Sequence, residues 1–283
     1  MSPKINEEPA TALASAAARG DRLELARSAA AEFTLRLGAR RTKAGAPVRN
    51  VFVAAPDADT VPPLASLLRG GGRGGHLRLK LYLGLLWLNA TPPHESALPA
   101  RAWAALLGLE DHEIKGVRRI QQAAHDLQGR GFITIRDRGG RPNGLTILDD
   151  AGTGAPYTSP SETYNRMQQQ GAPDSVLWQH RYFRIPSSIW TDGHMATLTG
   201  PGLAMLLVLL CERRGKDTDV WFTPDLARQR YNLADSTRSN GLQELRDRQL
   251  LSTRSISISE TGSFITFKRQ RNTHRLLLTS DPP

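Results

Sequence analysis

The chain contains an internal repeat, and this repeat constrains the possible folds more than any other feature of the sequence. Residues 98–111 align with residues 222–235, and residues 127–132 align with residues 245–250. A chain of 283 residues is long enough for two domains, and a repeat of this kind indicates duplicated units. We therefore expect two related domains, each with a hydrophobic core of its own.

The second copy shows the clearest pattern of helices and strands. An apolar run at 201–213 predicts a helix, Thr223 can cap a short second helix, and Asp235 begins a third helix after a tight turn. Residues 255–259 and 263–268 alternate on both sides of a glycine turn, which is typical of a β-hairpin. The predicted order is therefore three helices followed by a hairpin.

The first copy follows the same order. Helices are predicted at 76–89, at 99–107 and from Glu110 to about Gln128, and a hairpin follows at 132–148. The region of its third helix is six residues longer than in the second copy, which indicates either a longer helix or an insertion near the turn. Four tryptophans sit at positions that suit the cores: Trp87, Trp103, Trp190 and Trp221.

The third helix of each copy carries polar and basic side chains that suit base edges and phosphates. In the first copy, helical spacing of 100° per residue separates a polar face from a largely apolar one. The polar face comprises Lys115, Arg118, Arg119 and Gln122, and the apolar face comprises Ile114, Val117, Ile120 and Ala124. The second copy offers Ser236, Thr237, Arg238, Asn240 and Gln243. An ordinary solvated helix face is the alternative interpretation of the basic pattern.

Basic residues also mark the two hairpins. The first hairpin carries Arg136, Arg138 and Arg141, and the second carries Lys268, Arg269 and Arg271. Arginine in such a position contributes salt-dependent contact with a nucleic-acid backbone that does not depend on base sequence. The alternative for 268–271 is a basic strand end without such contacts.

The charge of the chain favours a polyanionic partner. The net charge is +10 and the isoelectric point is about 10.3, so nucleic acid is favoured ahead of a membrane surface. Residues 69–146 carry +6 and residues 201–278 carry +5, so the two copies hold the positive excess. Surface arginine that serves only solubility is the alternative explanation.

Each copy, with its three helices and basic hairpin, resembles winged helix-turn-helix DNA-binding domains. The tandem arrangement is similar to plasmid replication initiators built from two winged helices and to some actinobacterial regulators. This resemblance of pattern covers residues 76–149 and 181–278. It implies a mainly α fold with small β-hairpins (α+β), in which two winged helices follow an N-terminal helical arm. The first 75 residues have no counterpart in the resemblance.

The expected organisation divides the chain into six parts. They are a disordered arm at 1–20, a helix and strand segment with a glycine-rich hinge at 21–75, the first unit at 76–149, a linker at 150–180, the second unit at 181–278 and a loose tail at 279–283. Within the second part, we expect a helix from Asp21 to Leu37 and a strand at 50–54. The linker is expected from its content of Gly, Pro, Ser, Thr and Gln.

Several classes of function lack support in the sequence. Cys211 is a single cysteine inside an apolar run, so we expect neither a disulfide nor a cysteine metal site. The glycine run at 69–75 lacks the Gly-Lys-Ser/Thr of a nucleotide loop, and the histidines are scattered. We therefore expect no enzyme activity, no cofactor and no metal. Without a signal-like or membrane-spanning apolar segment, the chain is expected to be cytoplasmic and nucleoid-associated.

Two functions remain open at this point. The first is binding of double-stranded DNA at two half-sites about one helical turn apart, as a replication initiator of a mobile element or a transcriptional regulator. A homodimer or a replication or transcription partner is compatible with it. The second is a protein-interaction or scaffold subunit of a larger assembly. Exposed, unpaired Lys115, Arg118, Arg119 and Arg238 would favour DNA, whereas their pairing with the chain's own carboxylates would favour the interaction role.

Overall fold

Helices predominate in this chain, and short antiparallel strands connect them. The computed structural model describes residues 8–37, 45–57, 59–69, 72–213, 218–261 and 266–278. Within these ranges the strands form sheets of two or three strands. The expected α+β class is therefore confirmed.

The elements follow one another in four groups. The N-terminal segment holds α1 (Glu8–Leu37), β1 (Ala46–Arg49), α2 (Asn50–Val53) and α3 (Pro63–Leu68). The first unit holds α4 (Gly72–Asn89), β2 (Glu95–Ser96), α5 (Ala100–Leu106), α6 (Lys115–Gly129), β3 (Ile133–Arg136) and β4 (Gly144–Ile147). Between the units lie α7 (Pro160–Gln169) and α8 (Asp174–His180). The second unit holds β5 (Tyr182–Ile185), α9 (Ser188–Thr191), α10 (His194–Thr197), α11 (Gly200–Arg213), α12 (Pro224–Tyr231), α13 (Asp235–Asp247), β6 (Leu251–Thr261) and β7 (Thr266–Leu276).

The first unit places its hairpin beside a third, very short strand. β4 lies between β2 and β3 in an antiparallel sheet. The register pairs Ile133 with Ile147 and Ile135 with Leu145, so these side chains share one face of the sheet. That face packs against α4 and α6. The chain order is thus helix, strand, helix, helix, strand, loop and strand.

The second unit repeats this order. Val220 forms an isolated antiparallel bridge with His274 of β7, in the position that β2 occupies in the first unit. The predicted cap is confirmed, because the Thr223 hydroxyl accepts the Leu226 N–H at 3.1 Å. Asn232, in the left-handed region at φ 52°, then ends α12. The tight turn between α12 and α13 is therefore confirmed as well.

The extra residues of the first unit form a turn. α6 begins at Lys115, and the predicted start at Glu110 is wrong. Asp111 has φ 47°, and its side chain accepts the N–H of Ile114 at 3.2 Å. This left-handed residue interrupts the helix that acidic residues in a first turn would have favoured. Of the two alternatives, the structure thus has the insertion near the turn.

The N-terminal segment differs from its prediction at both ends. α1 begins at Glu8, so a helix occupies most of the expected disordered arm, while residues 1–7 lie outside the described residues. Residues 50–53 form the helix α2, and the strand is β1, which pairs with β5. The expected hinge at 69–75 includes the start of α4, where a Cβ on Gly75 would lie 2.6 Å from the Leu68 carbonyl oxygen.

The expected linker at 150–180 is largely helical. It contains α7 and α8, and its first residue is a carboxylate with no exposed surface. Asp150 accepts the backbone N–H of Arg49 at 2.7 Å and forms an ion pair with the Arg49 guanidinium. The polar composition of this segment suggested a solvated chain, but a tertiary ion pair holds it against β1 and the first unit. The tail at 279–283 lies outside the described residues.

The two units share one hydrophobic core. The indoles of Trp87 on α4 and Trp190 on α9 stack with centroids 4.8 Å apart, and both are buried. Gly108 lies against Ala196 of α10, where an added Cβ would meet the alanine Cβ at 2.8 Å. A single cluster of buried residues runs through both units. The expectation of two separate cores is therefore wrong.

Helix α1 joins the units from outside. It packs against α5 of the first unit and against α9 and α10 of the second. Phe33 meets the edge of Trp103 at 5.8 Å, and Arg22 forms an ion pair with Glu110 at 3.0 Å. On the other side, the Arg27 guanidinium donates to the Asp192 carbonyl oxygen at 3.2 Å. The N-terminal helix thus helps to fix the relative position of the units.

Candidate nucleic-acid interface

Helix α6 presents one polar face because its other face is held in the core. Ile120, Ala123, Ala124 and Leu127 are buried against α4 and α5. Near its start, a Cβ on Gly116 would lie 3.0 Å from both the Ala104 Cβ and the Asp111 carbonyl oxygen. Glycine at this position permits the close approach of α6 to α5. The orientation of the polar face is therefore fixed by packing.

The predicted basic residues of α6 lie on this polar face. Lys115, Arg118 and Gln122 are exposed, and Arg119 is half-buried. Within the described part of the chain, the three cationic side chains form no hydrogen bond or ion pair, whereas Gln122 donates to Asp126 at 2.9 Å. Ile114, which was predicted on the apolar face, is 61% exposed because it precedes the helix. The exposed face thus combines unpaired cations with one apolar side chain at its end.

The hairpin between β3 and β4 adds two further exposed arginines. Arg138 and Arg141 are exposed and have no ion-pair partner among the residues that the structure describes. Arg136 instead forms an ion pair with Glu95 of β2. The loop turns sharply at Gly139 and Gly140, with φ 55° and 74°. The tip of the hairpin can therefore present Arg138 and Arg141 to a ligand. The carboxylate of Glu95 neutralises the charge of Arg136.

Helix α13 of the second unit, which corresponds to α6, offers less positive charge for contact with phosphate. Ser236, Asn240 and Gln243 are exposed. Thr237 is half-buried, and so is Arg238, whose side chain lies 3.9 Å from Asp235. This distance makes the pairing weak, and the exposed Asp235 also binds Arg228 at 2.6 Å. A carboxylate at the start of α13 opposes contact with phosphate, and α6 has no acidic residue in its first turn.

Other polar side chains of α13 form hydrogen bonds with neighbouring side chains of the same helix. Gln243 donates to Asp247 at 2.6 Å and accepts from Arg246 at 2.6 Å. Of the predicted polar residues in α13, Ser236 and Asn240 are thus the exposed ones without a side-chain partner among the described residues. The two copies share a fold but not the same chemistry at this helix.

The second hairpin brings Arg271 onto an aromatic side chain. The Arg271 guanidinium lies 3.5 Å from the centroid of the Trp221 indole, which is close enough for a cation–π interaction. Trp221 is 46% exposed, so its prediction as a core residue is wrong. The backbone of Lys268 and Arg269 lies on β7, and their side chains lie outside the described part of the structure.

A cleft beside Trp221 contains residues that the sequence pattern did not single out. It has a volume of about 430 Å³ and lies between α13 and β7. Arg246, Asn272 and His274 line it together with Arg238 and Arg271. Their convergence depends on the register of β7 against β6 and on the packing of α13. In the sequence, the feature that could have indicated this cleft was Trp221, which precedes the capped helix α12.

Comparison of the chain with protein families, curated proteins and solved structures found no match. In the described residues, no helix is both long enough and apolar enough to cross a membrane. The same part of the chain contains no group of three or more His, Cys, Asp or Glu side chains that could hold a metal ion.

Proposed function

We propose that this protein binds double-stranded DNA through two tandem winged helices, with the first unit making the stronger contact. The observation that carries the proposal is the cationic face of α6, which comprises Lys115, Arg118 and Arg119 and has no ion-pair partner within the described part of the chain. Arg138 and Arg141 extend this surface along the adjacent hairpin. A helix with a wing beside it suits the major groove and the flanking backbone.

Unpaired cations contribute to DNA binding more than paired ones do. Each lysine or arginine that neutralises a phosphate releases a counterion, which is favourable in dilute salt. A cation already paired with a carboxylate must first give up that partner. This requirement separates Arg118 and Arg138 from Arg136, which pairs with Glu95. On α6 and the adjacent hairpin, the basic side chains without a partner among the described residues are Lys115, Arg118, Arg119, Arg138 and Arg141.

The second unit offers base-reading groups of its own. Ser236 and Asn240 are exposed on α13, and an asparagine amide can pair with an adenine. Because the units share one core, their two helices are held at a fixed spacing. A fixed spacing between non-identical units suits a target with two different half-sites. A replication initiator of a mobile element and a transcriptional regulator both meet this description.

A protein-interaction role is the second candidate. It is favoured by Ile114, which is 61% exposed at the start of α6, and by the contact of Arg238 with Asp235. Apolar exposure at the end of a helix suits a protein partner better than a phosphate backbone. Ile114→Ser separates the two roles, because it should weaken a protein contact and leave DNA affinity within about twofold, as expected for a residue that touches no phosphate.

The proposal is tested by fluorescence anisotropy with a labelled duplex of about 30 base pairs, long enough for two half-sites. The triple variant Lys115→Ala, Arg118→Ala and Arg119→Ala should lower affinity about a hundredfold near 0.15 M salt, because each lost phosphate contact weakens binding several-fold. Arg166→Ala is the matched control, since Arg166 is exposed on α7 and belongs to neither unit. Equal loss in the control, or no loss in the triple variant, would contradict the proposal.

A further inference from the structure

The cleft between α13 and β7 is lined by several basic side chains. Arg238, Arg246 and Arg271 line it, and no aspartate or glutamate is among the described residues that line it. Its volume of about 430 Å³ lies within the range of small-molecule sites, about 300 to 1,000 Å³. A concentration of positive charge without a lining carboxylate favours an anionic ligand.

The arginines retain donors for such a ligand. The Nε of Arg238 is buried and has no hydrogen-bond partner among the residues that the structure describes. A buried donor without a partner is costly, and a shift of the Arg238 side chain towards an anion in the cleft would satisfy it. Arg246 donates to Gln243 through one terminal nitrogen, which leaves other donors of its guanidinium unused. Arg238 and Arg246 therefore supply donors on one wall of the cleft.

The opposite wall supplies a flat surface. Arg271 stacks on Trp221 at 3.5 Å, yet Trp221 remains 46% exposed. Indole rings and guanidinium planes both stack with nucleic-acid bases. Phe222 and Leu242 give the cleft apolar lining next to this pair. A ligand that carries both an anionic group and a flat ring would use both walls.

His274 does not add a positive charge to the cleft near neutral pH. Burial lowers the pKa of His274, and the charges of Arg246 and Arg238 lower it further. Its Nδ1 lies 3.0 Å from the Thr253 hydroxyl, so the ring is tied to β6. The arginines therefore supply the positive charge of the cleft, which the neutral imidazole also lines.

We infer that this cleft binds a nucleotide, with the phosphate at Arg238, Arg246 and Arg271 and the base against Trp221. The nucleotide is either free or one link of a single DNA strand, because both present the same phosphate and ring. This site lies in the second unit, apart from the α6 face, and so it does not rest on duplex binding by the first unit.

The test uses the full chain with dTTP as the free probe and a fluorescein-labelled oligothymidine as the single strand. Binding is followed by calorimetry for dTTP and by anisotropy for the oligonucleotide. Arg246→Gln and Trp221→Leu should each weaken binding about tenfold, the scale of one charge-assisted hydrogen bond or one stacked base. Arg254→Gln is the matched control, since Arg254 is exposed on β6 and does not line the cleft.

Each outcome has a defined meaning. Binding of dTTP identifies a free ligand, binding of oligothymidine alone identifies a single strand, and either result with both variant losses supports the inference. The triple variant of α6 should bind dTTP as the wild type does, which separates this site from duplex binding. Circular dichroism identifies any variant that fails to fold, and Arg246→Gln then decides alone. The inference is overturned if neither probe binds or if Arg246→Gln binds as tightly as the control.

Discussion

Arg49 and Asp150 form a buried ion pair that ties the N-terminal segment to the start of the segment between the units. Their side chains are 3% and 0% exposed. Burial by itself lowers the pKa of Arg49, but the charge and hydrogen bond of Asp150 and the charge of Asp149 outweigh it, so the guanidinium stays charged. Thr158 completes the site, since its carbonyl oxygen accepts from Arg49 at 2.8 Å.

Removal of one partner from this pair should strongly destabilise the protein. Asp150→Ala leaves the Arg49 guanidinium buried without its main partner, which costs about 3–5 kcal/mol. The free energy of unfolding in urea measures this loss. Arg136→Ala, which breaks the ion pair of the largely exposed Arg136 with Glu95, is the control and should cost less than about 1 kcal/mol. Equal losses in the two variants would show that Asp150 is not held in a buried pair.

Lys80 should make stability depend on pH. It lies on α4, where its ammonium donates to the Ala196 carbonyl oxygen at 2.9 Å. Burial lowers the pKa of Lys80 to about 7; Glu244 opposes this shift, and Arg248 and Arg119 add to it. The ordinary pKa of 10.5 applies to the unfolded chain. Between these values the unfolded state binds more protons, so the free energy of unfolding rises with pH, and the cost of burial is fully present below pH 7.

Lys80→Met removes this titration. The stability of the wild type relative to the variant should rise by about 3 kcal/mol from pH 7 to pH 9.5, since one pKa unit corresponds to about 1.4 kcal/mol. Urea unfolding of both proteins at several pH values measures the difference. Parallel pH profiles for the two proteins would mean that Lys80 keeps an ordinary pKa.

The shared core predicts that both units unfold together. Trp87 and Trp190 stack across the boundary between the units, and Trp190→Ala should cost about 3–5 kcal/mol, as other large truncations in cores do. Fluorescence and circular dichroism should report one coincident transition in the wild type. Two separate transitions, with only one shifted by the substitution, would indicate independent domains.

The arginines at the tip of the first hairpin should contribute affinity that does not depend on base sequence. Arg138→Ala combined with Arg141→Ala should lower the slope of log K against log salt by about 2, because each phosphate contact contributes about 0.9. Anisotropy with two duplexes of unrelated sequence measures the slopes. A loss confined to one duplex would indicate base recognition instead of backbone contact.

Local signals made part of this fold predictable. The Thr223 cap, the turn at Asn232 and the alternation of the hairpins each depend on residues close in sequence. The sequence did not predict the helices at 150–180. The start of this segment is fixed by an ion pair with Arg49, which lies about a hundred residues earlier in the chain. No sequence pattern within 150–180 indicates that ion pair. The shared core was missed for the same reason, since Trp87 and Trp190 meet only after folding.

The candidate interface was predictable to a similar degree. Helical spacing placed Lys115, Arg118 and Arg119 on one face, and the structure has them unpaired among its described residues. Spacing could not give the partner of Arg136, because Glu95 comes from a different strand. Helical spacing also could not predict the exposure of Trp221, because that exposure depends on how Arg271 stacks on the indole. A sequence pattern does not show which side chains of distant elements will pair.

The salt dependence of duplex binding tests the central claim most directly. Anisotropy between 0.05 and 0.3 M salt, concentrations chosen to span strong screening, should give a steep linear fall of log K with log salt for the wild type. In the variant that lacks the Lys115, Arg118 and Arg119 side chains, the slope should be smaller by about 3. A flat dependence in the wild type, or the same slope in both proteins, would contradict DNA binding through α6.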